Sequence, residues 1–277
     1  EVEPHVRGLG ALHSLSTGVV DFGAVANALA REVRAADGAV ETGTSVERLE
    51  VLDALGGAGR VVRLADGREL AARRVVACAG AWADRLARAS GAPADPRIVP
   101  FRGAYMRLRH ERRELVRALV YPVPDPRLPF LGVHLTRHED GEVLVGPTAL
   151  VAGARDAYRL RRVRAADLAE TLAWPGTWRM ARRWWRTGAA EVRRLLSRRA
   201  LAAEAARFVP ELRADDLEPA FAGVRAQAVA RNGRLLDDFA ISEAGGALHV
   251  RNAPSPAATA CLAIAREIVD RLERAGL

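Results

Sequence analysis

Prolines decide where this chain can build regular structure. Pro93, Pro96 and Pro100 punctuate one short stretch, and Pro122, Pro124, Pro126 and Pro129 punctuate another. A proline has no N–H to donate and a fixed φ, so the second stretch, with so few free N–H groups, cannot be regular structure. The first reads as a crossing between domains. The second reads as a loop joining two strands.

Around these breaks, apolar periodicity predicts a helix over 23–35, with Asp21 as N-cap and Gly38 as terminator. Strands are expected near 45–52, 60–65, 68–72 and 75–79, with Asp66 and Gly67 forming a hairpin turn. A helix follows over 82–89. Beyond the proline crossing, strands are expected at 101–108, 118–123, 131–136 and 142–146. A helical block over 165–206 is broken near Pro175-Gly176 and near Gly188. Strands at 219–229, 234–241 and 246–251 precede a closing helix over 256–274. Strands and helices mix without strict alternation, so the fold class is α/β of a mixed α+β kind. The middle block reads as a sheet carrying helices, inserted between two pieces of another domain.

The chain has 277 residues and a net charge of +8, and all 42 of its basic residues are arginine. The arginines are spread through helices beside Asp and Glu, with no aromatic-interleaved strand and no compact basic tail, which argues against nucleic acid as a partner. No apolar run is long enough to span a bilayer, and the start carries no signal-peptide pattern. Cys78 and Cys261 sit among apolar residues and read as buried thiols, not as a disulfide or metal site; no metal is expected. Trp174, Trp178, Trp184 and Trp185 lie among arginines. That pattern fits a helix on a membrane surface, but the short apolar face favours packing between domains.

Four constellations carry chemistry. The run Val75-Val-Ala-Cys-Ala-Gly ends a buried strand at Gly80 and feeds a helix, placing backbone N–H groups where nucleotides sit in α/β folds. At the other end of the chain, Ser255 suits an N-cap and Pro256 the first helical position, and Ala257 and Ala258 leave that turn free of bulk. His134 and Thr136 should share one face of a strand, with Val133 and Leu135 on the other. A neutral imidazole there could accept a substrate proton. His13, His110 and His138 stand near loops and read as structural or solvated. Arg225, flanked by apolar residues in a strand, needs a partner for its charge: a ligand carboxylate, or Asp237 or Asp238. Arg102 is a second candidate. Gly8-Leu-Gly10 is not a dinucleotide fingerprint: no strand precedes it, and His13 stands where a third glycine belongs.

Several strings together resemble the FAD-dependent oxidoreductases of the D-amino-acid oxidase superfamily, and within it the L-2-hydroxyglutarate oxidase/dehydrogenase branch. They are His5-Val-Arg-Gly, the stretch from His13 to Asp21, the Cys78-Ala-Gly turn, Pro100-Phe-Arg-Gly, Tyr121-Pro-Val-Pro-Asp-Pro and Pro129-Phe-Leu-Gly-Val-His. Val145-Gly-Pro, Gly223-Val-Arg-Ala-Gln, Asp237-Asp-Phe and Asn252-Ala-Pro-Ser-Pro-Ala-Ala-Thr complete the set. The resemblance implies an FAD-binding Rossmann-like domain in 1–97 and 211–277, with an inserted antiparallel-sheet-plus-helices substrate domain in 98–210. The family's glycine fingerprint would precede Glu1, so the FAD domain is expected to be incomplete and the chain to be a fragment.

The same resemblance implies oxidation of an L-2-hydroxy acid, most closely the dicarboxylate L-2-hydroxyglutarate. Arg225 would grip the α-carboxylate and His134 would take the hydroxyl proton. Arg102, Tyr121 or Thr136 would meet the distal carboxylate. Gly80, Ala81, Gly223, Pro254, Ser255, Pro256, Ala257 and Ala258 would line the FAD. Oxygen, a quinone or an electron-transfer protein would accept the electrons. A cytoplasmic protein is expected, with peripheral contact at the inner face of the membrane as an option. The alternatives are a sister flavoenzyme acting on an amino acid or glycerol phosphate, and an inactive remnant that binds no FAD.

Overall fold

The computed structural model describes residues 2–52, 59–125, 131–253 and 257–275. In chain order the elements are α1 (Phe22–Ala35), β1 (Val46–Leu52), β2 (Gly59–Leu64), β3 (Glu69–Ala72), β4 (Val76–Ala77) and α2 (Ala83–Ala89). Then come β5 (Arg97–Leu108), β6 (Leu119–Val120), β7 (His134–Arg137), β8 (Val143–Gly146) and β9 (Leu150–Val151). The helices α3 (Ala165–Ala173), α4 (Pro175–Arg183), α5 (Trp185–Leu196) and α6 (Arg198–Ala205) follow, then β10 (Leu217–Val229), β11 (Ala240–Ala244), β12 (Ala247–Asn252) and α7 (Cys261–Arg274). The chain packs as two compact units. Unit 1 holds Glu1–Asp21, Pro100–Leu168 and Ala181–Arg225; unit 2 holds Phe22–Val99, Ala169–Met180 and Ala226–Leu277.

Unit 2 contains two three-stranded sheets, ordered β1-β2-β3 and β11-β12-β4. Helix α1 ends where Asp37 adopts φ 59°. Gly38 N–H then reaches back to the Val33 carbonyl at 2.9 Å, closing a Schellman turn. Gly38 is needed for closeness and not for its φ: a Cβ there would lie 2.8 Å from the Val33 oxygen. The Asp66-Gly67 turn forms as expected, with Gly67 at φ 86°. In the second sheet β12 runs parallel to β4 and antiparallel to β11. Leu248 and Val250 pack on Ile268 and Leu272 of α7.

The turn between β11 and β12 is Gly245-Gly246, with φ 56° and 70°, the left-handed pair a two-residue hairpin needs. A Cβ on Gly245 would run into the Leu49 carbonyl of β1. Gly245→Ala is therefore expected to cost about 3 kcal/mol, or roughly 10 °C in Tm. Gly67→Ala, where φ is also positive but a Cβ would meet open space, should cost about 1 kcal/mol. Thermal unfolding of the two variants checks this, and equal losses would remove the steric argument.

Three sequence expectations are corrected in unit 2. Of the strand expected over 234–241, the first part makes a single antiparallel bridge, Leu235 to Val229, and the strand proper begins at Ala240. Between them the carbonyls of Leu236 and Asp238 are taken by side-chain amides: Gln227 donates to Leu236 at 2.9 Å and Asn252 to Asp238 at 2.7 Å. The closing α-helix begins at Cys261, after a 3₁₀ turn over Ala257–Ala260; Pro254, Ser255 and Pro256 lie outside the described residues. Cys78 is exposed and Cys261 half-buried, both as free thiols. Apolar neighbours in sequence did not bury them, because they lie on a cavity wall.

Trp174 behaves as a core residue. It is 2% exposed, donates its indole N–H to the Val229 carbonyl at 3.0 Å, and lies 5.0 Å from the Arg97 guanidinium and 5.2 Å from that of Arg231.

Unit 1 is built on a six-stranded sheet ordered β10-β5-β8-β7-β6, with β9 also pairing with β5. The pairs β5–β8, β5–β9, β6–β7 and β7–β8 are antiparallel. One face carries Val120, Leu135 and Val145 into a core with Leu201, Ala202 and Ala205 of α6. Pro122 and Pro124 stop β6 at Val120, short of the end of the strand expected over 118–123. In the helical block, the break expected near Gly188 falls four residues earlier, at Trp184 between α4 and α5. Gly188 itself sits inside α5 and completes its hydrogen bond to the Trp184 carbonyl at 2.9 Å; a helical glycine costs about 1 kcal/mol, which packing outweighs. A further break falls at Ser197, whose hydroxyl caps α6 by accepting from the Ala200 N–H.

Candidate active site

Strand alternation sorts the unit 1 residues by face. Leu135 and Val145 are opposite one another and buried in the core, so their neighbours His134, Thr136, Leu144 and Gly146 point to the other face. On β5, Met106 faces Val145, which puts Tyr105 and Gly103 on the face of Gly146. On β6, Val120 is in the core and Tyr121 follows it onto the open side. On β10, Val224 packs on Ala152, Ala154 and Ala157, while the Phe221 ring lies 5.2 Å from that of Tyr105. Phe221, Gly223 and Arg225 therefore share the face of Tyr105.

His134, Thr136, Tyr121 and Arg225 thus belong to one side of one sheet. Arg102 does not. Four residues from Met106 on β5, it takes the Met106 face, and its guanidinium reaches the Tyr158 carbonyl at 3.5 Å. The expectation for Arg102 came from a short string, which cannot say which side of a strand a residue takes.

His134 Nδ1 lies 3.0 Å from the Gly132 carbonyl. A carbonyl only accepts, so Nδ1 carries the proton and Nε2 keeps a free lone pair. The imidazole stacks on Tyr121 with centroids 4.6 Å apart and planes 22° off parallel. Burial pulls its pKa below the ordinary histidine value, outweighing the opposing effect of the Gly132 hydrogen bond. The ring is therefore neutral at neutral pH and able to accept a proton. Arg225 is half-buried, and desolvation lowers its pKa from the usual guanidinium value; a guanidinium still remains charged. Asp237, one of the two aspartates considered as its counter-charge, is 90% exposed and pairs instead with Arg234 at 3.9 Å.

Tyr105 and Phe221 were missed from the sequence. Burial raises the Tyr105 pKa, and Tyr121 adds to the effect. Gly146, at φ 147°, is what lets Tyr105 lie close: a Cβ there would be 3.2 Å from its ring. The available signal was alternation, since Tyr105 stands three residues from Arg102 and so on the opposite face.

Unit 2 holds a separate cavity of about 630 Å³. It lies at the carboxyl ends of the parallel strands β4 and β12, where each feeds a helix. Gly80 (φ 53°), Ala257 and Ala258 line it, as do Cys78, Cys261, Ile98, Val250 and Ile264. The turn at Gly80 leaves open space where a Cβ would sit, and small residues hold the other wall open. Arg251, 4% exposed, also borders the cavity and donates to the Asp95 and Pro96 carbonyls at 3.1 and 2.6 Å. Ala81 is not among the lining residues, and Gly223 belongs to the unit 1 sheet. Backbone N–H groups at two helix starts, apolar walls and an absence of bulk suit a flat, phosphate-bearing aromatic cofactor.

Comparison with known proteins gives a consistent result. A family model described as FAD dependent oxidoreductase matches residues 1–271. The chain is 40% identical over 263 residues to an L-2-hydroxyglutarate dehydrogenase of Indibacter alkaliphilus, covering 95% of this chain and 65% of that protein. It is 41% identical over 276 residues to the mitochondrial L-2-hydroxyglutarate dehydrogenase of Caenorhabditis elegans, covering 97% and 63%. The corresponding human mitochondrial protein is 38% identical over 284 residues, covering 98% and 61%. The chain thus spans less than two thirds of the length of these relatives. Among solved structures, the FAD-bound L-alpha-glycerophosphate oxidase of Mycoplasma pneumoniae aligns with TM-score 0.63 at 22% identity, covering 89% of this chain and 54% of that one. Glycine oxidase of Geobacillus kaustophilus aligns with TM-score 0.53 at 21% identity, covering 90% and 53%. At those identities the likeness establishes the fold.

Proposed function

This chain belongs to the FAD-dependent oxidoreductase family, and on that premise we propose that it oxidises an L-2-hydroxy acid, L-2-hydroxyglutarate before others, to the 2-oxo acid. The observation that carries the reading is the state of His134: neutral, its tautomer set by Gly132, and on the same sheet face as the Arg225 cation. The names of the relatives support the choice of substrate.

In this reading Arg225 holds the α-carboxylate through its planar fork. His134 Nε2 takes the proton of the C2 hydroxyl as the C2–O bond becomes a carbonyl and a hydride leaves C2. FAD, when bound, supplies the acceptor for that hydride. The cavity of unit 2 would hold it, with the turns at Gly80 and Ala257–Ala258 turning their backbone N–H groups to it and Ile98, Val250 and Ile264 covering apolar ring surface. Tyr121 keeps the imidazole plane in place by stacking. We assign cofactor holding to unit 2 and substrate handling to unit 1.

The acceptor that reoxidises the flavin is oxygen, a quinone or an electron carrier. We also propose a peripheral site of action at the inner face of the membrane. The exposed Trp185, with the Arg186 guanidinium 5.3 Å from its ring, is the supporting surface feature.

The test uses the purified protein titrated with FAD. Cys78 and Cys261, both on the cavity wall, should lose reactivity toward N-ethylmaleimide as the flavin binds. Anaerobic L-2-hydroxyglutarate should then bleach the flavin absorbance, where glycerol 3-phosphate and amino acids do not. A protein that stays colourless and whose thiols gain no protection would remove the cofactor assignment. Bleaching by an amino acid or glycerol phosphate instead would move it to a sister activity.

A further inference from the structure

Unit 1 contains a second cavity, of about 530 Å³, that the proposed chemistry leaves unused. The segment running from Leu12 to Val19 forms one wall, and residues from β6 and the end of β7 form the other. Its polar lining is basic in balance. Arg117 and Arg137 border it with His13 and His138, against one carboxylate, Glu139. From sequence these histidines read as structural or solvated; the fold brings them to one hollow.

The two arginines differ. Arg137 is already committed: it donates to the Val116 carbonyl at 3.1 Å and pairs with Glu114 at 3.5 Å. Arg117 is held by its backbone, whose N–H donates to the Glu3 carboxylate at 2.9 Å. Its guanidinium has no ion pair among the described residues. A cation placed by its main chain, exposed at a cavity wall and unpaired, is suited to an incoming carboxylate.

Tyr121 links this cavity to the catalytic groups. It lines the hollow and its ring stacks on His134. In strand order the groups run from Arg225 on β10, through His134 on β7, to Tyr121 and Arg117 flanking β6. That is the order a hydroxy acid with a second carboxylate presents: α-carboxylate, hydroxyl carbon, distal carboxylate.

We propose that this cavity is the specificity subsite for the distal carboxylate of the substrate, with Arg117 as the residue that selects dicarboxylates. The assignment rests on the hydroxy-acid reading above and replaces Arg102 and Thr136 in the distal role. Because Arg117 is exposed, Arg117→Ala should leave the fold and the thermal midpoint unchanged.

Two arms test it. In turnover, Arg117→Ala should raise KM for L-2-hydroxyglutarate tenfold or more, with kcat nearly unaltered and with kcat/KM for L-2-hydroxyvalerate, which lacks the second carboxylate, unchanged. Arg117→Lys should recover part of the loss. In calorimetry, glutarate should bind the parent protein more tightly than valerate, and Arg117→Ala should abolish that preference. Equal losses on both substrates, or no glutarate preference in the parent protein, would overturn the proposal. Should no hydroxy acid be oxidised at all, the activity reading fails, while the glutarate arm still decides whether the cavity selects dicarboxylates.

Discussion

Arg225→Ala in the flavin-loaded protein is expected to lower kcat/KM for L-2-hydroxyglutarate by a hundredfold or more, roughly 3 kcal/mol of transition-state binding. The size follows from the environment. The side chain is half-buried, and desolvation has already pulled its pKa down, so its interaction with a carboxylate is less screened than that of a surface arginine. Arg225→Lys recovers only part of the activity, since an ammonium is a point charge and cannot reproduce a planar two-pronged contact. The α-carboxylate is common to every 2-hydroxy acid, so L-2-hydroxyglutarate and L-2-hydroxyvalerate should suffer alike. That uniformity separates Arg225 from Arg117. Steady-state kinetics on the two acids check it, and unaltered kinetics would take Arg225 out of the site.

The second large effect concerns His134. His134→Gln should slow anaerobic flavin reduction by about two to four orders of magnitude while leaving the spectrum of the bound flavin nearly intact, since the substitution removes a proton acceptor and keeps a neutral side chain. The pH dependence has a definite sign. Burial lowers the folded-state pKa of His134 below its ordinary value of 6.5, so the base is free at neutral pH. The reduction rate should fall only as pH drops below 6.5, through that lowered pKa, and the variant should lose this inflection. The same direction governs stability. The unfolded chain takes up protons near pH 6.5 while the folded imidazole resists them, so stability held above that pH is lost on acidification. His249, 1% exposed and likewise lowered by burial, adds in the same direction. Stopped-flow reduction rates on either side of neutral pH decide the matter, and an undiminished rate in the variant would clear His134 of proton transfer.

Much of the local structure was legible in the residues. Asp66-Gly67 made its hairpin turn, the prolines ended β6, and alternation correctly placed His134 and Thr136 opposite Leu135. The errors have a common cause. Gly188 looked like the break because propensity says so, yet α5 runs through it and the break falls at Trp184. The stretch at 234–241 looked like one strand, but it pairs only at Leu235 and from Ala240, because the Asn252 and Gln227 amides took the carbonyls between. Cys78 and Cys261 looked buried because their sequence neighbours are apolar. The strings that resemble the family also named Arg102, which alternation sets on the opposite face from His134.

From its sequence alone this chain determined its family, its turn positions and the periodicity of its strands, because those depend on a residue's own φ preference, its missing N–H or the two-residue repeat of a strand. Only the tertiary structure decided which side chains share a face. It put Tyr105 against Phe221, Tyr121 against His134, and Arg117 with His13 and His138 around one hollow. Those groupings depend on register between strands far apart in the chain. A register is set by burial of the opposite face, a sum over many distant residues that no single segment contains.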